Sequence, residues 1–238
     1  VSLTALIFWV SYVLGIAGAL FNPIIGLCIY IIVYHLNPET QWWGESVRML
    51  GLRLSFTAAL ATGIGMVIRW PRMMGGSRQF PLPFKLALLF GLITLGSLCW
   101  GLEITKYGLY QAEKCVKLMI ILFILVRCVR TPLHYHVILL AWLVGVLYIG
   151  YEATGGVGVY YRGRLSEGLG GPDFSESSGL AVHLVGTLPL IGAMFFMARS
   201  WGGRAFALIT GCLAVNALIA TRTRNALPGL IAIVIASV

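Results

Sequence analysis

Three pairs of basic side chains, each set against a long apolar run, are the residues of this 238-residue chain best suited to chemistry. Arg162 and Arg164 lie in the glycine-rich segment from Tyr151 to Ser178, together with Glu167, Asp173, Glu176 and the aromatic pair Tyr160-Tyr161. Arg222 and Arg224 belong to Thr221-Arg222-Thr223-Arg224-Asn225, wedged between two apolar stretches. Lys114 and Lys117 stand three residues apart, so on a helix both can face one way. Guanidinium matches phosphate oxygens two-pronged, and cations beside hydrocarbon are costly unless they snorkel to the interface or meet an anion. Each pair also has a plain reading: solvated charges on a surface loop, snorkelling at a helix end, or an interfacial anchor that Glu113 partly neutralises. Taken together, the three pairs suit a lipid that carries a pyrophosphate.

Two further residues are secondary candidates. His183 falls about two turns into an apolar run beyond Glu176, and an ionisable group at such a depth is a functional candidate by default. With no nucleophile or metal-ligand partner at helical spacing, a packing role is the favoured reading of His183. His35, His134 and His136 read as structural. The five cysteines are scattered singly through apolar runs and behave as small hydrophobes. No Ser/His/Asp set, phosphate-binding glycine loop or dinucleotide fingerprint occurs, so neither a metal nor a cofactor is expected.

The elements that must position these residues follow from composition. With 59% hydrophobic and 11% charged residues and a mean hydropathy of +0.90, the chain has more apolar surface than a soluble domain of its size can bury. The expected fold is all-α, a polytopic transmembrane helical bundle in a single domain over residues 1–238. Stretches such as Leu118 to Val126 do not alternate, which excludes a membrane β-barrel. About nine spans are expected, near 2–20, 23–37, 50–68, 83–101, 115–129, 132–150, 177–198, 203–221 and 226–238. Residues 151–178 form an extracytoplasmic loop, and the apolar run open at Val238 suggests a truncated C-terminal end. Alternating spans place Arg69, Arg72, Arg78, Lys85, Arg127, Arg130, Arg199 and Arg204 on one face without any acid, the inferred cytoplasmic side. Every Asp and Glu falls on the other face with the three basic pairs. Counting only Lys and Arg the faces nearly tie, and cations on an outer face call for a function. The net charge of +9 is read as membrane topology, so no nucleic-acid partner is expected.

Four stretches resemble, in order, the O-antigen ligase-like family, most closely its O-glycosylation ligases of exosortase-linked clusters: NPIIGLCIYIIVYHLNPETQWWG, KCVKLMIILFILVRCVR, YYRGRLSEGLGGPDFSESSGLAVHLVGTLPL and TRTRNALPGL. The resemblance implies glycan transfer or polymerisation from an undecaprenyl-pyrophosphate carrier, at the outer face of the bacterial inner membrane. It implies metal-independent inverting glycosyl transfer, with Lys114, Lys117, Arg162 and Arg224 matching basic positions that hold the lipid-linked pyrophosphate. The family's catalytic histidine lies on a periplasmic loop beyond Val238, so no residue here takes that role. Glu176-Ser177-Ser178 and Thr223-Arg224-Asn225 depart from the family's usual acidic-Asn-Asn and Ser-Arg-Gly. The partners implied are a lipid-linked glycan, membrane lipids and other membrane-protein subunits. A rival reading is a non-catalytic helical scaffold within a larger membrane complex. A transporter ranks last for want of midplane charges.

Overall fold

The computed structural model describes residues 2–70, 80–100, 105–171, 173, 176–224 and 226–237. Pro71, Arg72 and Arg78, as well as Glu103 and the Asn225 of the arginine motif, lie outside the described residues. The helices are α1 (Leu3–Phe21), α2 (Pro23–Leu36), α3 (Glu45–Leu50), α4 (Leu54–Ile68), α5 (Leu82–Trp100), α6 (Lys106–Cys128), α7 (Pro132–Thr154), α8 (Ser177–Met197), α9 (Trp201–Thr221) and α10 (Ala226–Ser237). A single hairpin, β1 (Val159–Tyr161) with β2 (Arg164–Glu167), sits between α7 and α8.

Local chemistry sets the boundaries. Asn22 closes α1 and opens α2, its Oδ1 accepting from the Ile24 amide at 3.1 Å while Pro23 takes the first helical position. Thr131 and Pro132 do the same for α7, with Thr131 Oγ1 accepting from the His134 amide at 3.2 Å. Thr105 caps α6 through the Gly108 amide at 3.0 Å, so α6 begins at Lys106, ahead of the apolar run expected near residue 115. The stretch before α4 forms its own short helix, α3, closed by Gly51.

Four helices, α1, α7, α8 and α9, are long and apolar enough to cross a membrane. The expectation of about nine spans thus reduces to four by length and composition, among the described residues. The 14 residues of α2 and 15 of α4 rise roughly 21 and 22 Å, short of a hydrocarbon core of about 30 Å. The 23 residues of α6 are long enough, but Lys106, Glu113, Lys114 and Lys117 occupy its first half.

The main core joins α7, α8 and α9 through Leu143, Val146, Ile149, Leu180, Leu184 and three fully buried alanines of α9, Ala207, Ala214 and Ala217. Small residues let helices approach closely where lipid supplies no hydrophobic drive between them. Gly145 shows the same device against α2: a Cβ there would stand 2.5 Å from His35 Cγ.

Contacts sort the loops onto two ends of the bundle. Asn37 donates to the Gly170 carbonyl at 3.2 Å and Gln41 to Glu152 at 3.3 Å, while Lys114 meets Asp173. That end therefore holds residues 37–41, the start of α6, the hairpin and the end of α9. At the opposite end the Arg127 guanidinium lies 4.4 Å from the Phe80 ring centre.

Candidate functional site

The segment expected to be an extracytoplasmic loop contains the hairpin, which carries the first arginine pair. Tyr161 stands opposite Arg164, and the connecting residues Arg162 and Gly163 have φ of 51° and 71°. Left-handed values at both positions define a type I′ turn, whose twist matches that of the strands. Gly163 adopts this conformation freely, whereas for Arg162 it costs about 1–2 kcal/mol. Leu165 and Leu169, each 1% exposed, pin the hairpin into the core of α7, α8 and α9. Tyr160 adds a hydroxyl donation to the Ala153 carbonyl at 3.2 Å.

Arg164 points back onto the bundle. Its Nε donates to the Thr221 carbonyl at 2.8 Å and its Nη2 to Ser177 Oγ at 2.5 Å, tying the hairpin to the end of α9 and the start of α8. Thr223 closes the same knot by donating to the Ser177 carbonyl at 3.3 Å.

Arg222 is the C-cap of α9, with a left-handed φ of 47°. Its Nη1 reaches the Arg162 carbonyl at 3.5 Å, and a Cβ on Gly163 would stand 3.3 Å from its Nη2. The structure thus brings the first two pairs together. Of the three described non-glycine residues with positive φ, two are Arg162 and Arg222. Arg162, Arg222 and Arg224 are exposed, with the Arg162 guanidinium 5.3 Å from the Tyr161 ring centre.

The lysines stand differently. Lys114 Nζ is 2.5 Å from Asp173 and 4.4 Å from the Tyr110 ring centre, and Tyr34 donates its hydroxyl to the same carboxylate. Burial would raise the Asp173 carboxyl, but the hydrogen bonds from Lys114 and Tyr34, with the charges of Lys114 and Lys117, hold it below the usual carboxylate range. Lys117 pairs with Glu113 at 2.5 Å on one exposed helix face. Both lysines are thus matched by acids. Among the described residues, Arg162, Arg164, Arg222 and Arg224 make no ion pair.

Glu176 takes the N-cap of α8 without a side-chain capping bond and is exposed. His183 lies deeper, and its Nε2 meets Nε2 of His35 at 3.2 Å, across α2 and α8. His35 Nδ1 faces the Ile31 carbonyl at 2.7 Å. A carbonyl only accepts, so Nδ1 holds the hydrogen, the neutral His35 ring offers a bare Nε2, and His183 Nε2–H donates to it. Trp142 packs against both rings and donates Nε1–H to Thr187 at 3.1 Å. His183 is therefore part of an interhelical polar cluster. Among the described residues no group of three or more His, Cys, Asp or Glu could hold a metal ion.

Two participants were not legible. Asp173, the partner of Lys114, stood in the sequence as one loop acid among several. Glu152, 6% exposed beneath Gln41 and Tyr148, carried a faint signal as a lone carboxylate at the end of an apolar run. Compared with protein families, with curated proteins and with solved structures, the chain finds no match.

Proposed function

We propose that this chain is the membrane part of a bacterial inner-membrane enzyme that transfers or polymerises a glycan from an undecaprenyl-pyrophosphate carrier. The observation that carries this reading is the meeting of Arg162 and Arg222. Arg222 Nη1 reaches the Arg162 carbonyl, and both arginines are exposed, stand on left-handed backbone at one end of the bundle and, among the described residues, pair with no carboxylate. Non-glycine residues in the left-handed region persist where a site needs them. The resemblance of the four ordered stretches to O-antigen ligase-like enzymes supplies the reaction class. In that reading the shorter apolar helices also lie within the membrane, and the arginine end faces outward.

In the reaction, the bond between the glycan anomeric carbon and the pyrophosphate oxygen breaks as an acceptor oxygen attacks from the opposite side. Negative charge then grows on the departing lipid pyrophosphate. In this reading Arg162, Arg222 and Arg224 stabilise that charge, and Arg164 holds the hairpin that carries Arg162. Removing one fixed donor that faces developing charge typically costs a factor of about 10²–10³ in turnover. Lys114 and Lys117, matched by Asp173 and Glu113, serve the local field.

The rival scaffold reading is favoured by the engagement of Arg164 in helix bracing and by the neutralised lysines. Turnover of an undecaprenyl-pyrophosphate-linked glycan by the complete gene product in native-like membrane separates the two. Arg162→Ala and Arg224→Ala are each expected to lose roughly 10²-fold or more while remaining folded. Absence of wild-type turnover, with the chain co-purifying stoichiometrically in a larger assembly, selects the scaffold.

A further inference from the structure

The rim of the bundle at the arginine end is not level. Trp9 of α1 donates Nε1–H to Ser46 Oγ of α3 at 3.0 Å, the Phe8 ring lies 4.9 Å from the Trp43 ring, and Tyr12 donates its hydroxyl to the Leu54 carbonyl at 2.8 Å. These contacts fix the depth of α3 and of the turn that leads into α4. Counted from Leu3, the first residue of α1, Trp9 and Tyr12 lie roughly 9 and 14 Å along the helix. Leu3, Leu6 and Ile7, which rise above that level, are apolar and more than half exposed. Residues 42–53 thus form a ledge set below the end of a helix long and apolar enough to cross a membrane.

The outward side of the ledge has the composition of a membrane interface. Trp43 and Val47, 7% and 1% exposed, hold it to the bundle. Facing away are Trp42 and Met49, each more than three-quarters exposed, with Leu50 and Leu52, and interleaved with them stand the exposed Arg48 and Arg53. Tryptophan and leucine beside arginine suit the boundary between headgroups and acyl chains, where apolar bodies sink and cations reach phosphate. Arg48 shows the direction of that reach. Its Nη1 donates to the Glu39 carbonyl at 2.7 Å and approaches the Gln41 carbonyl at 3.3 Å, both in the turn beyond α2, so the side chain snorkels towards the arginine end. The neighbouring helices carry lipid-type surface too: Val10 and Val13 of α1 and Phe56 and Leu60 of α4 are each more than half exposed. A partner helix laid on the ledge would have to match Arg48, Arg53 and the exposed Glu45 one by one, whereas phospholipid headgroups accept such charges without a fixed geometry.

We propose that residues 42–53 are an interfacial anchor, lying at the headgroup–acyl boundary of the leaflet at the arginine end and drawing that boundary inward beside α3 and α4. The rise of α4, roughly 22 Å against a hydrocarbon core of about 30 Å, matches a bilayer thinned on this side. The proposal rests on the apolar helices crossing a membrane and is independent of glycan transfer.

Photo-crosslinking of the complete gene product in its native membrane tests it. A benzophenone amino acid takes the place of Met49, of Leu50 or of Leu60, all exposed, so none disturbs the core. Leu60 lies about 9 Å further along α4 than Leu54 and marks the acyl chains. Positions 49 and 50 are expected to give phospholipid adducts on the glycerol and first acyl carbons, and position 60 adducts further down the chains. No lipid adduct at 49 and 50, with one at 60, places the ledge in water and overturns the anchor. Adducts as deep as those from position 60 overturn the interfacial depth, and cross-links to another protein in place of lipid make the ledge a subunit contact and overturn the lipid assignment. A measurement on the unmodified chain covers the case in which a labelled protein fails to fold. In electron-microscopy maps of the full-length protein in nanodiscs, the headgroup layer should dip by several Å beside α3 relative to α8 and α9, and a level layer rejects the inference.

Discussion

Replacing Arg162 by Asn separates a functional arginine from a decorative one. The turn at Arg162-Gly163 has φ of 51° and 71°, a conformation for which Asn-Gly is the favoured pair. Left-handed backbone costs an ordinary residue about 1–2 kcal/mol, and Asn, whose side chain bonds locally, recovers part of this. The Arg162 guanidinium gives up little in exchange, since it is exposed and contacts the Tyr161 ring at 5.3 Å without an ion pair among the described residues. The net expectation is a gain of about 1 kcal/mol, a rise in thermal midpoint of roughly 2–4 °C for a domain of this size. If Arg162 faces the departing pyrophosphate, the same variant loses about 10²–10³ in turnover. Thermal unfolding and glycan transfer, both measured in nanodiscs, read the two effects. A variant that is no more stable than wild type refutes the turn argument. One that is stabilised and fully active refutes the role of Arg162 in charge stabilisation.

Arg164→Ala should behave oppositely. It removes two donations from the guanidinium, one to the Thr221 carbonyl at 2.8 Å and one to Ser177 Oγ at 2.5 Å, a loss of about 2 kcal/mol and roughly 4–8 °C in midpoint. An unchanged midpoint would show that the hairpin stands without this brace. The Asp173 carboxyl, held below its ordinary value near 3.9, contributes stability that is complete above that ordinary value and fades as pH falls through the lower folded one. Asp173→Asn should therefore flatten the acid limb of the stability profile below about pH 4; a limb as steep as wild type would assign it to other carboxylates.

Lys114 and Lys117 illustrate how far a reading by residue type reaches. Their spacing placed them correctly on one helix, and Glu113 beside them pointed to partial neutralisation, which the Lys117–Glu113 pair at 2.5 Å bears out. That Lys114 is matched by Asp173, 59 positions away, could not be read from spacing, because the contact depends on where a loop returns. Helix positions were legible for a different reason: apolar length, Asn22-Pro23 and Thr131-Pro132 act locally. The start of α6 was not, since a capping threonine extends that helix beyond the apolar run on which its boundary was judged.

The sequence by itself determined that the chain is a bundle of apolar helices, because hydropathy and caps act over a few residues. Only the tertiary structure decided which of the described cations meet a carboxylate. It folded Tyr151 to Ser178 into a hairpin, set Arg162 against Arg222, turned Arg164 into a brace and joined His35 to His183. The contacts of Arg162 with Arg222, of Arg164 with Thr221 and of His35 with His183 join residues 60, 57 and 148 positions apart. Such contacts are settled by how buried leucines, alanines and glycines let the helices pack, which no local pattern records.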